Sequence, residues 1–190
     1  MMKAPLDFVP THTRKPLFLA LLLWTLVLFA VVQVINQPLL TREAPSGIVS
    51  LELAGTPQRA GSILMSWSSP APTSIPYRPN LTLLFASFGL GLDYLFMPSY
   101  SLTIALGALL AARRHRGVFA RLAPWAGWGA LTAALFDASE NVALLMVLQG
   151  AFISVWPAVA FWCASLKFTL ILAGIAYVLS GALLPASRDS

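Results

Sequence analysis

Four long apolar runs dominate the sequence and constrain its solvent. They cover residues 17–35, 81–112, 122–148 and 155–184. About 20 apolar residues, rising 1.5 Å each, cross the hydrocarbon core of a bilayer, and each run approaches or exceeds that length. The composition agrees. Hydrophobic residues make up 58% of the chain and charged residues 10%, against roughly 45–50% and about 25% in a soluble domain. So few charges cannot coat a soluble surface for 190 residues. The sequence therefore predicts an all-α fold, a transmembrane bundle of four helices in one integral membrane domain spanning residues 1–190.

The first run follows Arg14, Lys15 and Pro16 and ends in Gln33, Asn36, Gln37 and Pro38. A secretory signal would have an apolar stretch of about 7–15 residues before small residues at a cleavage site. This run is longer and ends in polar residues, which predicts an uncleaved anchor. The second run exceeds what a bilayer needs, so it is expected to tilt, kink or project beyond the lipid. The short link Gln149–Ser154 makes the last two spans an antiparallel hairpin. Orientation follows from Lys and Arg placement. Lys3, Arg14 and Lys15 precede the first span. Arg113, Arg114, Arg116 and Arg121 join the second to the third, and Arg188 lies in the tail. With four spans these segments share one side, the cytoplasm. The outer loop, 38–80, carries Arg42, Arg59 and Arg78 diluted over its length. The net charge of +5 is absorbed by this pattern, and no nucleic-acid motif accompanies it. A single cysteine, Cys163, excludes an intrachain disulfide and a Cys-cluster metal site.

The outer loop has its own signals. Ser46 can cap a turn beginning at Gly47. Thr56 and Pro57 form an N-cap and N1 pair that starts a helix. Along it Ala60, Ile63, Leu64 and Trp67 recur at helical spacing. An amphipathic helix there packs on the outer end of the bundle, closes over a site as a lid, or lies among headgroups. The Pro- and Ser-rich stretch after it reads as an extended tether.

Five polar residues interrupt the spans: Asp93, Asp137, Glu140, Asn141 and Lys167. An ionisable residue at mid-membrane costs roughly 2.5–3.5 kcal/mol, so four acting alone oppose insertion by about 10 kcal/mol. Such residues face the protein interior and pair there, or line a wet cavity. At 1.5 Å per residue, Asp93 and Lys167 each lie about 18 Å into their spans from outside, and Asp137 about 22 Å up from the cytoplasm. Asp137, Glu140 and Asn141 are spaced i, i+3, i+4 and share a helical face. Gln33 and Asn36 lie near the same outer level. Pro98 removes a helical hydrogen bond and should free the carbonyl of Tyr94. Tyr94 and Tyr100 are accessory candidates beside Asp93. Ser87 and Gly91 form a small-xxx-small pair suited to a close helix crossing.

Three readings compete for the cluster. One is an ion-pair network that locks the helices, with Lys167 against Asp137 or Asp93 and Glu140 against Asn141. Another is a site for a proton, a cation or a small polar solute, because three carboxylates outnumber one ammonium. The third is a membrane-embedded enzyme acting on a lipid-like substrate. No span contains His, no serine sits in a nucleophile motif, and no paired-aspartate Mg²⁺ signature is present, so no metal or cofactor is expected. The bilayer itself is a partner, and association into a homo- or hetero-oligomer remains open.

The strings GIVSLELAGTPQRA, SFGLGLDYLFMPSYS, FDASENVALLMVL and FWCASLKF, taken together, resemble a family of small bacterial four-span membrane proteins with no assigned activity. The resemblance covers Gly47 to Tyr177. It implies a bacterial inner-membrane location and makes the outer-loop helix part of the architecture, and it brings no catalytic residues.

Overall fold

A computed structural model describes residues 2–68 and 80–185. The tether expected over 68–80 falls almost wholly outside these residues, as do Arg78 and Arg188. Every regular element among the described residues is a helix: α1 (Thr11–Asn36), α2 (Ile48–Glu52), α3 (Pro57–Ser68), α4 (Leu81–Ala112), α5 (Gly117–Leu148) and α6 (Trp156–Leu183), with short 3-10 turns at Gln37–Leu39 and Ala151–Ile153. Four of these, α1, α4, α5 and α6, are long and apolar enough to cross a membrane. At 1.5 Å per residue, the 32 residues of α4 and of α5 reach about 48 Å. Leu19, Leu23, Trp24, Phe29, Phe88, Leu135, Trp162 and Leu172 are each at least half exposed along these four helices. A water-soluble chain rarely shows so much apolar surface, whereas lipid accepts it.

Two boundaries differ from the hydropathy reading. Helix α1 starts at Thr11, six residues before Leu17, and α5 at Gly117, five before Leu122. Hydropathy marks where lipid begins. A helix continues past that point wherever its amides find acceptors, and the amide of Thr13 bonds Pro10 O at 3.0 Å. Pro16 is carried inside α1.

The chain divides into two compact units. One comprises Met1–Val27, Phe96–Leu135 and Leu166–Ser190. At its centre lies α4, buried almost without interruption from Ser99 to Leu109. Glycines let the neighbours close on it. A Cβ on Gly107 would come within 3.0 Å of Phe18 and Val178, and one on Gly174 within 2.7 Å of Ile104. The N-terminal segment folds onto α5: Trp128 Nε1 donates to Lys3 O at 3.0 Å. Arg14, largely buried, donates to Val9 O (2.8 Å), Asp7 O (2.7 Å) and the Asp7 carboxylate (3.2 Å).

The other unit comprises Leu28–Leu95 and Phe136–Ser165. Its core gathers Leu39, Leu51, Ala60, Ile63, Leu64 and Trp67 from the loop with Ala86 and Leu90 of α4, Ala143, Leu144 and Val147 of α5, and Ala160 of α6. The four stripe residues of α3 are all buried there. Thr56 Oγ1 accepts from the Arg59 amide at 3.3 Å, the N-cap geometry its sequence predicts. Trp67 Nε1 donates to Leu39 O at 2.9 Å, and α3 packs beside the turn at Ala151–Ile153. Within this unit α3 is thus a packed element, and the headgroup-foot alternative fails for its apolar stripe.

Candidate functional site

The polar residues of α5 sit in the middle of its buried stripe. Ala130, Ala133, Asp137, Glu140, Leu144 and Val147 follow one another at steps of three or four residues, and each is at most 2% exposed. Packing periodicity therefore forces Asp137 and Glu140 inward, since no rotation of the helix exposes them without exposing the alanines and leucines as well. Asn141 shares this face at 3% exposure.

Asn141 makes the link to α4. Its Nδ2 donates to Asp93 Oδ2 at 3.0 Å and to Leu90 O at 3.3 Å. The second acceptor is a helical carbonyl, whose spare lone pair can take an additional donor. Asp93 is partly exposed, unlike the α5 acids. Side chains three and four apart on a helix have Cβ atoms about 5–6 Å from one another. Asp137 and Glu140 are therefore neighbours, and Asp137 also neighbours Asn141. Asp93, Asp137, Glu140 and Asn141 all belong to one unit, and of the three carboxylates it is Asp93 that meets the Asn141 amide. The Asn141 side chain thus reaches across to α4, donating to Asp93 and to Leu90 O. Lys167 belongs to the other unit, where it is 5% exposed and its Nζ stands 4.8 Å from the Phe168 ring centroid.

The accessory candidates disperse. Tyr94 is half exposed and Gln33 is exposed. Tyr100 is buried in the other unit, its ring centroid 5.4 Å from that of Phe96. Asn36 has a structural task. Its Oδ1 accepts from the Ile48 amide at 2.8 Å and its Nδ2 donates to Ser46 O at 3.2 Å. The cap of α2 is therefore Asn36, reaching from α1, and not Ser46, whose side chain makes no cap bond there. Ser87 and Gly91 do not form a close crossing: both are exposed, and a Cβ on Gly91 would meet nothing within 4 Å. The buried face of α4 in this unit runs through Ala86 and Leu90, one residue round from that pair. Helix α4 continues through Pro98 to Ala112.

One buried acid was missed in the sequence. Glu52, at the end of α2, is 7% exposed. Its signal was present: Ile48, Leu51 and Glu52 are spaced i, i+3, i+4, so the side that buries Leu51 also buries Glu52. Among the described residues, no group of three or more His, Cys, Asp or Glu side chains is arranged to hold a metal ion.

The fold and this site define a class, a multi-pass helical membrane protein with an acid–amide cluster inside its span region. No family model, curated protein or solved structure matches the chain.

Proposed function

We propose that this is a bacterial inner-membrane protein, with both termini cytoplasmic, whose cluster of Asp93, Asp137, Glu140 and Asn141 joins α4 to α5 and holds an exchangeable proton. The observation that carries the reading is the Asn141–Asp93 bond beside a fully buried Glu140. The amide fixes one carboxylate by donating to it. Two further acids, Asp137 and Glu140, are buried one helical turn apart on α5, and we assign the proton to this group of acids. The Lys and Arg asymmetry supports the orientation. Lipid is the medium, and the same faces are open to a further copy or another subunit.

Glu140→Gln tests the site. Glutamine copies a neutral glutamic acid in size and in having both a donor and an acceptor. If Glu140 carries the shared proton, the variant folds with nearly unchanged stability in detergent unfolding, and sodium in place of choline makes no difference to wild type. If Glu140 is instead the anion of an ion-pair network, removing its charge costs about 3–5 kcal/mol, and the locking reading replaces the proton. Stabilisation by sodium that is lost in the variant would assign the site to a cation.

A further inference from the structure

The cytoplasm-directed end assigned to α4 carries a feature that the polar cluster does not use. In the unit that holds residues 96–135, Phe18 of α1, Gly107, Leu110 and Ala111 of α4, and Val178 and Gly181 of α6 line an open cavity of about 140 Å³. Two glycines form part of its wall, and a Cβ on Gly181 would collide with Ala111. The lining is apolar except at one end, where Arg114 stands beside Ala182. Arg113, Arg114 and Arg116 are exposed there. Arg114 Nη1 is 3.5 Å from Ala182 O and Arg113 Nη1 3.4 Å from Thr11 O. These are single long contacts, and each guanidinium has five donors in a fork that matches a phosphate.

We propose that this cavity is a binding site for an anionic phospholipid, with acyl chain in the apolar cleft and phosphodiester on Arg113 and Arg114. Three observations converge on that occupant. The cleft is of the size that holds a small apolar molecule, enough for a stretch of chain. Its open end is cationic, which selects a headgroup with net negative charge over a zwitterion. It lies where an apolar helix gives way to a basic turn, the level at which headgroups sit. The inference rests on the helices crossing a membrane and is independent of the proton assigned to the acid cluster.

The test uses the full chain purified in mild detergent, with native mass spectrometry and thermal unfolding as readouts. Phosphatidylglycerol should stay bound and raise the unfolding temperature. Phosphatidylcholine with the same chains and soluble glycerol phosphate should do neither. Arg113→Gln with Arg114→Gln, both at exposed positions, should weaken phosphatidylglycerol about fivefold per charge removed, from about 1 kcal/mol each. Ala182→Trp, at an exposed edge of the cleft, should block the lipid while the protein stays folded. Equal retention of phosphatidylcholine, or phosphatidylglycerol binding unchanged in both variants, overturns the proposal. So does conversion of an oligomer to a monomer by Ala182→Trp, which would make the cleft a contact between copies.

Discussion

Replacing Asn141 by leucine removes the donor that connects α5 to α4 while keeping the side chain's approximate size. Two acceptors are affected. Leu90 O, at 3.3 Å, lies within α4 and has the helical ladder to fall back on, so its loss contributes little. The Asp93 carboxylate, at 3.0 Å, is the stronger contact because its acceptor can be charged. Hydrogen bonds between membrane helices average about 0.6 kcal/mol and reach about 1.7 kcal/mol. A charge-assisted bond with a buried donor belongs near the top of that range, so a coupling of about 1.5 kcal/mol is expected. The assay is a double-mutant cycle of Asn141→Leu and Asp93→Leu, measured by reversible unfolding in mixed micelles. Independent sites add within about 0.3–0.5 kcal/mol. A coupling inside that margin would show that the bond does not join the helices energetically, and the structural half of the account would fall.

Other perturbations probe the supporting structure. Gly47 has φ +61°, and a Cβ there would collide with the Asn36 amide that caps α2. Gly47→Ala should therefore cost at least about 1–2 kcal/mol and make residues 45–56 the first site of limited proteolysis. Trp67→Phe keeps the ring in the core but leaves Leu39 O without the indole donor, a loss of about 1 kcal/mol in the same unfolding assay. Arg59 and Glu43 form a 2.8 Å ion pair with both side chains 44% exposed, so Arg59→Gln should change stability by less than about 1 kcal/mol.

Much of this architecture was legible because lipid simplifies the code. An apolar run of bilayer length has few alternatives to a helix, and the four runs each became one. The α3 stripe was equally readable, since Thr56–Pro57 marks its start and the period of Ala60, Ile63, Leu64 and Trp67 marks its face. The burial of Asp137, Glu140 and Asn141 followed from the cost of exposing charge to lipid. Other features depend on which neighbour a face meets, and periodicity does not carry that. Ser87 and Gly91 have the spacing of a close crossing but lie on an exposed face, while Gly107, spaced by four from Thr103 and Ala111, and Gly174, with no such pattern, make the close approaches. Asn36 looked like a polar residue near the cluster, yet it caps a helix twelve residues on. Glu52 shares the spacing of Ile48 and Leu51, but a five-residue helix offers only that one repeat, so the signal was slight.

The central claim is that the acids around Asn141 keep a proton inside the span region, and infrared spectroscopy of the protein in bilayers at neutral pH reads this directly. The account predicts a carbonyl stretch from a neutral carboxyl group that shifts on deuterium exchange and disappears or weakens in Glu140→Gln. A wild-type spectrum with carboxylate bands alone, or a neutral carboxyl band unchanged in Asp93→Asn, Asp137→Asn and Glu140→Gln alike, would contradict it.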